Sequence, residues 1–222
     1  MMCLLCQQVF KQNWSFGEIL GLSPRKDGLC QTCRESFLLI GQTHCPHCCK
    51  PGPTNEICHD CHYWKEQGKT VQHISLYVYN EAMKDFFSRF KFGGDYVLKD
   101  VFAADLRNAL KPYQKTHRFL PVPLSQPSYQ DRGFNQVTAL LEAAQLRYED
   151  IFEKKHTDKQ SSKTREQRLA TKQVFTMVKS LPLDKPVLLI DDIYTTGATL
   201  QLLREILTQT GIEQVTTFSL AR

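Results

Sequence analysis

The sequence predicts an α/β protein: a mostly parallel sheet flanked by helices, preceded by a small cysteine-rich domain. Three observations carry that expectation. After residue 68, short β-rich apolar runs alternate with amphipathic stretches, the pattern of repeated strand-helix units. One run, residues 187–190, reads Val-Leu-Leu-Ile without a polar break, which suits a strand buried on both faces of a parallel sheet. Before residue 62, all nine cysteines crowd into a segment with little apolar periodicity. The expected division is residues 1–68 and residues 69–222.

The cysteines come first. Cys3/Cys6, Cys30/Cys33, Cys45/Cys48 and Cys58/Cys61 each form a C-x-x-C pair, whose two thiolates can reach one tetrahedral ion. Four pairs predict two structural zinc sites of four cysteines each, in a double zinc ribbon with a core too small to hold without metal. The simplest combination joins the first pair with the second and the third with the fourth; a cross-braced pairing is the alternative. Cys49 is left over, as a spare ligand or an exposed reactive thiol. His44, His47, His59 and His62 crowd the second site, where one could replace a cysteine.

No apolar stretch approaches the roughly 18 residues of a spanning helix, and MMCLLCQQVF lacks the basic leader and long apolar core of a signal peptide. A cytoplasmic protein is expected, and in that reducing compartment cysteine pairs are metal ligands rather than disulfides. The net charge of +5 counts thiols as neutral. Two zinc ions, each held by four thiolates and so carrying about −2, bring it to about +1, and overall charge then argues little for nucleic acid.

The second region opens with a strand at residues 73–79 (HISLYVY). Residues 81–92 follow as an amphipathic helix, with Met83, Phe86, Phe87 and Phe90 at helical spacing as core. Gly93-Gly94-Asp95 ends it, and residues 97–110 read as one further helix with Val101, Ala104, Leu106 and Leu110 inward. Residues 118–122 make a short strand, then a polar segment runs to Arg132. Gly133-Phe134-Asn135-Gln136 leads into a helix to about Leu146. A strand-turn-helix unit spans residues 186–209, and residues 214–220 form the closing strand. Between them, residues 154–172 are basic, with Lys154, Lys155, Lys159, Lys163, Arg165, Arg168 and Lys172 against Asp158 and Glu166. This segment is expected to be a mobile loop that closes over a ligand.

Residues 187–199, VLLIDDIYTTGAT, bear the densest chemistry. Asp191 and Asp192 would emerge at the carboxyl end of a buried strand, where open α/β sheets bind ligands. There they can hold sugar hydroxyls or Mg2+. Thr195, Thr196, Gly197, Ala198 and Thr199 then offer hydroxyls and backbone N–H groups at a helix start, which favours phosphate. An ordinary strand-turn-helix would need one capping acid there, not two.

This run resembles the phosphoribosyl pyrophosphate (PRPP) signature of type I phosphoribosyltransferases. The wider set of motifs resembles the ComF family of competence-associated, phosphoribosyltransferase-like proteins. Its carriers are the C-x-x-C pairs, Phe90-Lys91-Phe92-Gly93-Gly94-Asp95, Val122-Pro123-Leu124, Asp131-Arg132-Gly133-Phe134-Asn135-Gln136, Gln160, Arg168 and the Asp-Asp loop. The resemblance implies a type I phosphoribosyltransferase-like fold behind a zinc finger, serving DNA uptake in transformation. Asp191 and Asp192 would be the catalytic acids on the ribose 2′ and 3′ hydroxyls, with Thr195 to Thr199 on the 5′-phosphate and Mg2+ arriving with PRPP. Pyrophosphate would lie near Pro123 to Arg132. Arg132, Lys159, Lys163, Arg165 and Arg168 are candidates for pyrophosphate or nucleic acid, and the implied partners are single-stranded DNA and the competence helicase ComFA.

The chain departs from the family pattern in two places. Cys49 stands where glycine usually follows the third pair, and Leu169-Ala170-Thr171-Lys172 stands where an asparagine usually follows the arginine. Where purine-salvage enzymes often carry a proton-exchanging aspartate, this chain has Thr195, a poor general base that argues against oxopurine salvage. Three roles stay open: a phosphoribosyltransferase of nucleotide metabolism, a silent PRPP sensor or DNA binder, and a zinc-finger adaptor.

Overall fold

The computed structural model describes residues 1–11, 16, 28–154 and 174–222. In chain order the elements are α1 (Gln31–Glu35), α2 (His59–Glu66), β1 (His73–Tyr77), α3 (Glu81–Phe92), α4 (Ala103–Leu110), β2 (Arg118–Pro121), α5 (Gln126–Arg132), α6 (Gln136–Ala143), β3 (Phe152–Lys154), β4 (Phe175–Met177), β5 (Val187–Ile193), α7 (Ala198–Gln209) and β6 (Val215–Ala221). Four strands form one sheet in the order β1-β6-β5-β2, with every neighbouring pair parallel. The expected mostly parallel, helix-flanked sheet is the observed one. An antiparallel β3-β4 pair stands apart, bracketing the basic segment.

β5 is central because its residues can be buried on both faces. Leu188 and Ile190 face one core with Phe86, Phe90, Phe102 and Phe218, while Val187 and Leu189 face another with Leu203, Leu207 and Val215. The cysteine-rich residues join both. Cys3, Leu29, Cys30 and Phe37 belong to the first core, and Cys45, Cys48, Cys61 and Trp64 to the second. Residues 38–40 also cover the outer edge of β1: Ile40 N donates to Leu76 O at 2.9 Å and Val78 N to Leu38 O at 2.8 Å. That pairing satisfies backbone groups an edge strand would leave exposed.

α3 forms as its pattern requires. Asn80 caps it by accepting from Met83 N at 3.0 Å, and Met83, Phe86, Phe87 and Phe90 are all buried. Residues 97–110, expected as one helix, are instead a 3-10 turn at Tyr96–Asp100 followed by α4. Packing is the reason. Phe102 leaves helical geometry at φ −107° and ψ 12°, and its ring stands edge-on to both Phe37 and Phe86 at 4.9 Å. Such aromatic contacts outweigh the small cost of a helix break. The polar segment before Arg132 is also more ordered than its composition suggests. Ser125 Oγ caps α5 by accepting from Ser128 N at 3.4 Å, Pro127 occupies the first turn, and Gly133 at φ 79° ends the helix.

Phe102→Ala removes the ring on which both regions meet, and is expected to lower stability by roughly 3–5 kcal/mol. Urea unfolding followed by circular dichroism in zinc-containing buffer checks this; a loss under about 1 kcal/mol would contradict the shared core.

Candidate functional site

Asp191 and Asp192 lie at the carboxyl end of β5, held by register. Asp191 sits beside Ser219 and Ile193 beside Ala221 of β6, while Pro121 of β2 flanks Ile190. Each acid uses one oxygen on the chain itself: Asp192 N donates to Asp191 Oδ1 and Ile193 N to Asp192 Oδ1, both at 2.8 Å. The other Asp192 oxygen pairs with the Lys91 ammonium at the end of α3, both side chains being nearly buried.

The two acids are therefore unlike. Burial, then the neighbouring Asp192 charge, pushes the Asp191 carboxyl well above the ordinary range. Burial would push Asp192 up as well, but the Lys91 ammonium outweighs it and holds Asp192 below. One acid is kept ionised by a fixed cation, and the other gains a proton readily unless a ligand cation or hydroxyl array compensates.

The following loop turns sharply into α7. Gly197, at φ 78°, is the residue before the helix, and a Cβ there would overlap the Tyr194 hydroxyl, so only glycine fits. Thr195 is exposed, whereas Thr196 is buried with its hydroxyl accepting from Ala198 N at 3.4 Å. The twelve-residue α7 directs its N-terminus at this turn. Two carboxylates and a glycine-turned loop thus stand within one continuous stretch of chain.

Arg132 comes from the far side, and every residue of Arg-Gly-Phe-Asn-Gln has a part in placing it. Arg132 Nη1 donates to Gln136 Oε1 at 2.9 Å, and Asn135 caps α6 while donating to Val122 O at 3.1 Å, which ties the motif to the exit of β2. Phe134 packs against Phe90 and Tyr96 at 5.1 and 4.9 Å, a core role rather than an open stacking ring. The Arg132 guanidinium lies 5.2 Å over the Phe92 ring; burial lowers its pKa, against the opposing charges of Asp192 and Asp131. Lys159, Lys163, Arg165 and Arg168 lie outside the described residues.

The cysteines fall into two groups, Cys3/Cys6/Cys30/Cys33 and Cys45/Cys48/Cys58/Cys61, with all sulfurs of a group within 4.8 Å of one another. The first pair combines with the second and the third with the fourth, not cross-braced. The Sγ–Sγ separations are 3.7 Å for Cys6–Cys30, 3.8 Å for Cys45–Cys61 and 3.5 Å for Cys48–Cys58. A tetrahedron with Zn–S near 2.3 Å has edges of about 3.8 Å, so both groups fit zinc. Among the described residues, neither group recruits a histidine. Cys49 belongs to neither group: it is half-buried, its Sγ donates to His73 O at 3.3 Å, and burial pushes its thiol up.

Two contributors escaped sequence reasoning. Lys91 sits in a quoted motif, yet nothing in its spacing points to Asp192, 101 positions away. Arg222 follows β6, and only the β5-β6 register brings it to the loop. Nearby, His73, Ser75, Thr217 and Ser219 form a buried hydrogen-bonded cluster between β1 and β6, with separations of 2.7–3.0 Å. The His73 ring lies 4.1 Å from that of Tyr194, and burial then the Arg222 charge keeps the imidazole neutral, well below its ordinary pKa.

No protein-family model matches the chain. The competence protein ComFC of Streptococcus pneumoniae (strain ATCC BAA-255 / R6) is 44% identical over 222 residues, covering 100% of both chains. This chain belongs to the ComFC family of competence proteins. The ComFC of Bacillus subtilis (strain 168) is 33% identical, covering 100% of this chain and 95% of the relative. Competence protein F of Haemophilus influenzae (strain ATCC 51907 / DSM 11121 / KW20 / Rd) is 28% identical over 89% of this chain and 91% of its own. A partial likeness, with TM-score 0.32 and 17% identity over 54% of this chain and 59% of the other, is to a hypoxanthine phosphoribosyltransferase from Staphylococcus aureus. Among the described residues no helix is long and apolar enough to cross a membrane.

Asp191 titrates higher in the native state than its ordinary 3.8. The native protein therefore holds a proton that the unfolded chain releases, and stability falls as pH rises through that window. Asp191→Asn is expected to gain about 1 kcal/mol over wild type at pH 8, with the gain shrinking toward pH 4. Urea unfolding at both pH values measures it; a gain that grows on acidification would refute the assignment.

Proposed function

We propose that this ComFC-family chain binds Mg2+-PRPP at the Asp191/Asp192 turn and serves DNA uptake in natural transformation, acting with the helicase ComFA on incoming single strands. The observation that carries the PRPP reading is the junction of two acids at the end of β5 with the glycine-turned loop at the start of α7. Asp191 and Asp192 take the ribose hydroxyls, and Thr195, Thr196, Gly197, Ala198 and Thr199 take the 5′-phosphate. Arg132 faces the pyrophosphate end, with Lys159, Lys163, Arg165 and Arg168 as further candidates there. Mg2+, when bound with PRPP, supplies charge neutralisation to the diphosphate. Lys91 keeps Asp192 ionised and oriented, and Arg132 stabilises charge on a departing pyrophosphate if transfer occurs. Zinc in the two cysteine groups is structural.

Calorimetric titration of Mg2+-PRPP into zinc-loaded protein tests this. Two charge-assisted contacts at about 1.5–3 kcal/mol each mean that the Asp191→Asn, Asp192→Asn double variant should bind at least ~100-fold more weakly. Absence of binding to folded wild type at millimolar PRPP would remove the PRPP reading.

Single-stranded DNA as the second ligand is favoured by exposed aromatics, two of them with a cation over the ring. Phe92, Tyr96 and Tyr129 are 74%, 40% and 50% exposed; Lys99 stands 4.1 Å over the Tyr96 ring and Arg132 5.2 Å over the Phe92 ring. Alternating rings and cations are what sequence-tolerant strand binding uses. Replacing Phe92 and Tyr96 by alanine should weaken oligo-dT binding by about 2 kcal/mol or more, read by fluorescence anisotropy. Unchanged anisotropy would place the strand elsewhere.

A further inference from the structure

We infer that Arg222 is the positioning residue of the phosphate loop, anchoring it to the second cysteine group so that its amides face the ligand; this rests on the PRPP reading above. The residue is pinned at both ends. Its backbone pairs with β1 and the segment after it, Arg222 N donating to Tyr77 O at 2.9 Å and Tyr79 N to Arg222 O at 2.8 Å. Its side chain, 7% exposed, divides its fork between two regions. Nη1 donates to Tyr194 O at 3.3 Å and also to Thr195 O. Nη2 donates to Cys48 Sγ and to Asp60 Oδ2, each at 3.3 Å. The guanidinium plane also covers the Tyr194 ring at 4.6 Å.

A second tie completes the arrangement. Trp64, buried in α2 between Cys61 and the loop, donates from Nε1 to Thr196 O at 2.7 Å. Three consecutive carbonyls, those of Tyr194, Thr195 and Thr196, are therefore all held from the side of the cysteine group. In a planar trans peptide the N–H points opposite to the C=O. Holding those three oxygens from one side turns the N–H groups of Thr195, Thr196 and Gly197 to the other. A run of amides aimed one way is an anion cradle, and it sits at the N-terminus of α7.

One arm of the fork is seated on the second group. Cys48 is one of its four sulfurs, and Asp60 lies between Cys58 and Cys61. The cysteine region thus does more than cap the α/β core: it holds the loop in its anion-accepting conformation. Coupling of this kind is reciprocal, so a ligand in the loop steadies the second group in return.

Two variants test the inference. Arg222→Gln removes the charge and fork, and Trp64→Phe removes only the indole donor while keeping the ring packed. Wild type and variants are compared by zinc content, calorimetry with Mg2+-PRPP, zinc release to the chelator 4-(2-pyridylazo)resorcinol, and 15N relaxation of the loop amides. Arg222→Gln is expected to keep two zinc ions, bind PRPP about tenfold more weakly, and lose the slowing of zinc release that PRPP produces in wild type. Order parameters of Thr195, Thr196 and Gly197 should drop from about 0.85 toward 0.6 or below, while those of β5 and β6 stay rigid. Arg222→Lys, which keeps one donor near the carbonyls, should recover part of the affinity. Wild-type affinity and loop order in Arg222→Gln would overturn the inference. Should that variant not fold, unchanged Thr196 and Gly197 order in Trp64→Phe would overturn it instead. Should wild type bind no PRPP, the PRPP reading falls, and the loop order parameters alone decide whether Arg222 and Trp64 position the loop.

Discussion

The placement of β5 between β6 and β2 constrains everything else in the molecule. Both of its edges are hydrogen-bonded in parallel register, and its apolar residues are covered on both faces. A strand held in that way cannot slide or twist without breaking two ladders and opening two cores. Its carboxyl end is consequently a firmly held point at which a ligand could be met. The acids, the loop and α7 all follow directly from it in the chain.

Rigidity there comes with instability at the acids. Burying adjacent carboxylates is unfavourable, and the structure offsets this unevenly: a buried ammonium for Asp192, and a proton or a ligand for Asp191. A site complete without ligand would have no reason to bind one. The unequal pair leaves electrostatic demand at Asp191, which a divalent cation or sugar hydroxyls can meet.

The cysteine region is joined to this centre more closely than a tethered finger would be. Each cysteine group lies against a different face of the sheet, residues 38–40 close the edge of β1, and Trp64 and Arg222 reach the Tyr194 to Thr196 carbonyls of the loop after β5. Small metal-stapled segments cannot bury enough apolar surface alone. Here the shortfall is met by sharing aromatic and aliphatic partners with the α/β core, Phe37 against Phe86 and Phe102 being the clearest instance.

Much of this was legible in the sequence because the signals are local along the chain. The four C-x-x-C spacings, the apolar run before Asp191, the glycine in the turn and the Met83 to Phe90 stripe each act within a few residues, where spacing translates directly into geometry. What spacing could not supply was contact across the sheet. The Lys91–Asp192 pair, the Arg222 fork and the helix break at Phe102 depend on which strand lies beside which, and in what register. Parallel neighbours are distant in sequence, so no local period records them. The order of residues along the chain was enough to define the four cysteine pairs, the strand and turn that carry the acids, and the fold class, while the way the pairs combine was left to the fold. Which acid keeps its charge and what holds the loop were settled in three dimensions, because both are set by charges and donors that meet only after the sheet has formed.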